Sequence, residues 1–221
     1  MSTAVRAAVL AALAAVATGC AGPASTLRLT TLQLRRVEGS APLPLVTRES
    51  AEAAVLRERA HEVPAGLRLE ALAAAMERAM RAADGVGIAG PQVGVPLRVA
   101  VLLLGYRGPS PHAVFVRNPV IVERSDEVMP SYEGCLSVPG VGGLVKRNRW
   151  VRVRWLDLQE RPQELRSQGA DAVLWQHELD HLDGVLYVDR LLGELMPIEE
   201  MRRRRKALEQ SPPAPASAPR P

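Results

Sequence analysis

Residues Trp175-Gln176-His177-Glu178-Leu179-Asp180-His181-Leu182-Asp183-Gly184 contain the motif His-Glu-x-x-His. Side chains four positions apart on a helix share one face. His177 and His181 are therefore spaced to hold one metal ion, and Glu178 stands beside them as a base for a water activated there. The competing reading is an ordinary amphipathic helix with two exposed histidines. The chain has four histidines in all, and two of them at ligand spacing around a glutamate favour a metal-dependent hydrolase. The helix is locally sound: Asp171 is placed to cap its start, Ala172 to Trp175 add apolar bulk, and Gly184 offers a stop.

Two histidines are one ligand short, because catalytic sites of this kind commonly use three protein ligands and keep one position open. Downstream, the pattern continues as His-Glu-x-x-His-x-x-Gly184-x-x-Tyr187, a metzincin-like spacing with a phenol where a third histidine is expected. Asp183, Asp189 and Glu194 are further candidates on that side. Upstream, Cys135 lies in Glu133-Gly134-Cys135-Leu136-Ser137. Its thiolate would suit zinc or ferrous iron, although a free cysteine is also a common buried apolar residue. The only other cysteine is Cys20.

A third segment, Gly85-Val86-Gly87-Ile88-Ala89-Gly90-Pro91-Gln92, is glycine-rich. It lacks the Lys-Ser/Thr ending of a phosphate loop and is not G-x-G-x-x-G. A loop whose bare backbone approaches a ligand fits it better.

GVGIAGPQ, EGCLS and QHELDHLDG, in this order, resemble the three signature motifs of the peptide deformylases. The Ala54–Ala60 segment and the pair Asn118-Pro119 extend the likeness, which covers roughly residues 45 to 205. One departure is Gly90, where the family usually has alanine; a missing methyl there is expected to loosen the loop. The resemblance implies that Cys135, His177 and His181 bind one divalent metal, Fe(II) by preference, with Zn(II) or Ni(II) able to take its place. It implies Glu178 as general base and then acid, with Gln92 and the Leu136 N–H stabilising the oxyanion from a formyl carbonyl. The implied substrate is an N-formylmethionyl peptide or nascent chain. It would lie extended along Val86 and Gly87, with its methionine side chain in a pocket lined by Val173 and Leu174. Attack on an amide independently needs an activated water, a Lewis acid and donors for the developing charge, and these residue types supply all three. Glu133 is expected to orient the site by pairing with Arg147; the alternative is a surface ion pair of little energetic weight.

At 221 residues, 47% hydrophobic, the chain is long enough for one domain with a proper core. Aromatic content is 3%, so Leu, Val and Ala must fill that core. The net charge of +4 draws on Arg202-Arg203-Arg204-Arg205-Lys206, which reads as a solvated helix end. No nucleic-acid-binding motif accompanies it, so no nucleic-acid partner is expected. Residues 1 to 20 resemble a signal peptide or a lipoprotein signal ending at Cys20. The family implies a cytoplasmic enzyme, and a membrane anchor would follow only from lipidation of Cys20. Residues 21 to 44 read as a linker with at most one short strand, 45 to 210 as the catalytic domain, and 211 to 221 as a Pro/Ala-rich disordered tail.

The periodicity predicts a helix over 67–83 and strands over 97–104, 113–116, 120–123 and 150–158. The metal helix and a final helix over 198–209 follow. This is an α+β pattern, with mixed or antiparallel sheets around a central helix, and the resemblance implies the same architecture. Two other functions stay open on sequence. An exported or lipid-anchored HExxH metallopeptidase leaves Cys135 and GVGIAGPQ unexplained. A non-catalytic metal-binding lipoprotein needs neither Glu178 nor Gln92.

Overall fold

The computed structural model of the chain describes residues 29–41 and 43–210. The signal-like segment with Cys20 and the Pro/Ala-rich tail lie outside the described residues.

Two antiparallel sheets sandwich one helix. The larger has the order β1-β2-β3-β6-β7, with β1 Gly87–Ala89, β2 Val99–Leu104, β3 His112–Arg124, β6 Trp150–Leu156 and β7 Pro162–Gln168. The smaller has the order β4-β5-β8, with β4 Val128–Cys135, β5 Val138–Asn148 and β8 Met196–Pro197. The helices are α1 Thr31–Val37, α2 Glu70–Ala82, α3 Gly169–Leu182 and α4 Ile198–Gln210. The fold is α+β.

α3 explains this layering. It touches β1, β2, β6 and β7 of one sheet and β5 of the other, and nine of its 14 residues are buried. A helix enclosed on nearly all sides needs apolar residues all round, except where polar groups have partners or a task. Ala172, Leu174, Trp175, Leu179 and Leu182 meet the first requirement and pack with Leu102, Val116, Val151 and Val153. The buried polar exceptions are Gln176, whose amide is bonded to the Asn148 and Ala172 backbone, and His177, Glu178 and His181. α2 covers the other flank of the large sheet, setting Leu72, Met76 and Met80 against Ile88, Val99 and Val101.

Several expectations need correction. Residues 31–37 form a helix where a linker was expected. Thr30 and Gln33 make a reciprocal capping box, with Gln33 N–H donating to Thr30 Oγ1 at 3.2 Å and Thr30 N–H to Gln33 Oε1 at 2.8 Å. That helix buries Arg36 and Val37, and Leu29 and Leu43 pack against the core beside it. The expected strands 113–116 and 120–123 are one strand, β3, interrupted by a bulge at 117–120. Asn118 sits within that bulge at φ 49°. Its amide pairs with the Val63 backbone in both directions, at 2.8 and 3.0 Å. Asp171 does not cap α3: Gln168 is the cap residue, and both Asp171 oxygens accept the Gly105 N–H at 3.1 Å, tying α3 to the end of β2. Gly90 does not loosen its loop. A β-carbon there would lie 2.7 Å from the carbonyl oxygens of Val95 and Leu97, so the backbone has closed into the space that the methyl would occupy.

Candidate metal centre

Three separately encoded segments meet at the buried face of α3. The β4–β5 hairpin turns at Leu136 and Ser137, with Cys135 paired to Val138 across the tip after a bulge at Gly134. This delivers the Cys135 thiol to the helix. One ligand atom each from Cys135, His177 and His181 lie within 4.8 Å of one another, and Cys135 Sγ is 3.2 Å from His181 Nε2. The His177 and His181 rings meet edge to face with centroids 4.9 Å apart. One thiol and two imidazoles form a soft donor set suited to a divalent transition metal. Glu178 Oε2 and His181 Nδ1 are buried without a hydrogen-bond partner among the described residues. Such orphaned groups are rare unless a missing ligand or water completes them. The residues fit a metal.

Three of the downstream candidates for a third ligand, Tyr187, Asp183 and Asp189, are committed elsewhere, and Glu194 is exposed and is not part of the cluster. Tyr187 donates its hydroxyl to the Val141 carbonyl at 3.2 Å and stacks its ring on His177. Burial raises its pKa further and keeps the phenol neutral. Asp183 binds Arg98 at 2.7 Å and Asp189 binds Arg57 at 2.5 Å.

The surroundings orient the trio. Glu133 Oε2 lies 2.8 Å from His177 Nδ1, which leaves Nε2 as that ring's free nitrogen. Arg147 grips Glu133 with two parallel bonds, at 2.7 and 2.8 Å, and reaches Asp180 at 2.5 Å. The Glu133 and Arg147 side chains are 5% and 3% exposed, so this is an interior pair rather than a surface one. Burial alone would raise the Glu133 pKa, but Arg147 and then His177 outweigh it and hold the carboxyl at about 2. Burial likewise opposes a charge on His177, and its contacts with Cys135 and Glu133 reverse that and raise its pKa. His181 is pushed down by burial and by the charge on His177. Glu178 is pushed up to about 7, chiefly by burial.

Gln92 comes from the glycine-rich segment, in the short 3-10 turn after β1. Its Oε1 accepts the Ala89 N–H at 2.8 Å, which turns its NH2 group toward Cys135 Sγ at 3.5 Å and Ser137 Oγ at 3.3 Å. Gly87 is required by packing: a β-carbon there would stand 2.2 Å from Glu178 Oε1 and 2.8 Å from Leu174 Cδ1. β1 is an edge strand. The Leu103 N–H donates to the Val86 carbonyl on the β2 side. Alternation then turns the Gly87 N–H and carbonyl toward the open edge. Leu174 is buried beside Gly87, while Val173 is only half-buried.

Two residues of the site escaped the sequence reading. Ser137 is wholly buried and holds the Gln92 amide. Asp180 joins Arg147 to Arg190, which it binds at 2.7 and 2.8 Å. Both lie inside the quoted motifs, and only their position there marked them.

The profile of the polypeptide deformylase family matches residues 45–195. The peptide deformylase of Phenylobacterium zucineum is 40% identical over 141 residues, covering 63% of this chain and 83% of that protein. Among solved structures, the Met-Ala-Ser-bound class I type b peptide deformylase of Acinetobacter baumannii aligns with a TM-score of 0.62 at 39% identity. It covers 69% of this chain and 99% of the other. The peptide deformylase of Thermotoga maritima aligns with a TM-score of 0.63 at 32% identity, over 69% and 99% of the two chains. With a matching profile over most of its length and a thiol-and-imidazole trio beside a buried glutamate, the chain belongs to the polypeptide deformylase family and is an enzyme of that kind.

Proposed function

We propose that the enzyme removes the formyl group from N-formylmethionyl peptides and releases formate, with Cys135, His177 and His181 as ligands of one divalent metal. The observation that carries this is the convergence of those ligand atoms within 4.8 Å on the helix face that also bears buried Glu178. A divalent cation there supplies Lewis acidity, lowering the pKa of water and polarising the formyl carbonyl. Fe(II) is the preferred occupant, and the same donors accept Zn(II) or Ni(II).

Glu178 takes the proton of the attacking water and passes it to the departing amine nitrogen. Burial pushes its carboxyl up from the ordinary range, which favours a group that both takes and gives back a proton. Gln92 Nε2 and the Leu136 N–H donate to the carbonyl oxygen as it gains charge. The peptide adds as a strand at the open edge of β1, pairing with the Val86–Gly87 backbone. The methionine side chain lies against Val173 and Leu174, one turn before His177. Glu133 and Arg147 hold the His177 ring. The domain boundaries expected from sequence, a catalytic unit over 45–210 between flanking segments, stand as part of this reading, with α1 added to its core.

Among the described residues no helix is long and apolar enough to cross a membrane. The metallopeptidase reading is not favoured, since Tyr187, at the metzincin position, is engaged with Val141. Anaerobic purification with metal analysis tests the proposal, followed by formate release from formyl-Met-Ala-Ser against cleavage of internal peptide bonds. Formate release that tracks bound metal supports it. Internal cleavage without formate release overturns it.

A further inference from the structure

Behind the metal centre lies a cavity of about 320 Å³. It opens on the far face of α3. At roughly 100° per residue, Gln176, Asp180 and Asp183 project opposite to His177, Glu178 and His181. The wall carries six cationic side chains, from Arg59, Arg98, Arg124, Lys146, Arg147 and Arg190, against two carboxylates, Asp180 and Asp183.

Those carboxylates are already in use. Asp183 binds Arg98 at 2.7 Å, and Asp180 binds both Arg147 and Arg190. Arg59 approaches Asp183 only at 3.9 Å and is 80% exposed. Arg124 and Lys146 have no ion pair or side-chain hydrogen bond among the described residues. Arg124 and Lys146 therefore border one concave space without a counter-charge among the described residues, and Arg59 has only a loose share of the Asp183 already held by Arg98. A cleft of one sign with low-dielectric walls concentrates the opposite sign. A single carboxylate would neutralise only part of this excess, whereas a phosphate carries more charge and several acceptor oxygens. The volume is at the small-molecule scale.

We propose that this cavity binds a phosphate-class oxyanion, free or as part of a nucleotide, with Arg59, Arg124 and Lys146 as its donors. The site is independent of the deformylation reading, although Arg147 forms part of its wall and also grips Glu133.

The test is calorimetry on the metal-loaded, full-length enzyme with inorganic phosphate, pyrophosphate and ADP, at low and raised ionic strength. The expected result is saturable pyrophosphate binding with Kd at or below about 1 mM, weakening as salt rises. Tighter binding of ADP than of pyrophosphate assigns the phosphate to a nucleotide, and the reverse assigns it to the free anion. R124A/K146A should weaken binding by at least about tenfold while formate release without added anion is unchanged, which also reports correct folding. Both side chains are exposed, and R124Q and K146Q singly repeat the test if the double variant is unstable. The absence of saturable binding overturns the proposal. So does pyrophosphate affinity unchanged in the double variant, which would place the anion elsewhere, such as on Arg202–Lys206.

Discussion

The two faces of α3 are built on opposite rules. On the face toward the Arg147 network, the helix's own carboxylates have counter-charges: Asp180 has Arg147 and Arg190, and Asp183 has Arg98. On the face toward β1 and the hairpin tip, Glu178 Oε2 and His181 Nδ1 are buried without partners among the described residues. A buried polar group left unpaired costs on the order of 1–3 kcal/mol. The second face leaves those atoms for a ligand or water to complete, and it is surrounded by groups held in place on its behalf. The guanidinium of Arg147 joins the two, touching Asp180 on one side and Glu133, hence His177, on the other.

The largest expected effect comes from completing the unpaired face. Glu178→Gln keeps size and hydrogen bonding but removes the base. Formate release should fall by about 100-fold to 10,000-fold while metal content, measured by atomic emission, stays at the wild-type level. Near-normal turnover would place the base elsewhere. Cys135→Ser should act differently, lowering metal occupancy itself, because a hydroxyl is a poorer ligand for soft metals.

Gly87→Ala tests the same face by crowding it. A β-carbon 2.2 Å from Glu178 Oε1 must displace the carboxylate. A shift of that kind is expected to lower kcat by about 100-fold, with metal still bound. A variant with normal kcat would show that Glu178 has room to move.

Glu133→Gln breaks the link between the faces. It leaves Asp180 as the one anionic partner of Arg147 at this site and weakens the hold on His177. Metal affinity or turnover should fall by about 10-fold to 100-fold, read by competition with a chelator. Unaltered affinity and turnover would make the pair a stability element only.

The smallest effect is expected from a paired group remote from α3. Arg36 of α1 packs over Gly94 and binds Glu52 at 2.7 Å, with the glutamate 44% exposed. Arg36→Ala should cost about 1 kcal/mol in stability, a Tm decrease of roughly 2–4 °C by calorimetry, with kcat close to wild type. A large loss of kcat would show that α1 also holds the loop carrying Gln92, whose carbonyl accepts the Val46 N–H at 2.8 Å.

These elements differ in how far sequence alone could reveal them. α3, α2 and α4 were legible because their information is local: an i, i+4 histidine pair, an apolar stripe ending at Asp84-Gly85, and a charged run with a helical period. β4, β5 and β7 were not foreseen as strands. Their glycines and charges, as in Val138–Asn148 and Pro162–Gln168, weaken any alternation, and the pairing across the hairpins supplies what propensity lacks. α1 could have been found from Thr30-x-x-Gln33, a local signal that the mixed composition around it concealed.

What the sequence by itself determined is the chemistry on offer: His177, Glu178 and His181 on one helical face, a thiol at Cys135, and an amide at Gln92 after a glycine-rich turn. Motif spacing records such local relations, because helix and turn geometry follow from nearby residues. Only the tertiary structure decided the partners. It brought the Cys135 thiol to the histidines across 42 and 46 residues of chain while turning the Tyr187 hydroxyl away to the Val141 carbonyl, buried the Glu133–Arg147 pair that grips His177, and set Gly87 beneath the Glu178 carboxylate. Such contacts depend on how two sheets enclose one helix, and that enclosure arises from burial summed over the whole core rather than from any one segment.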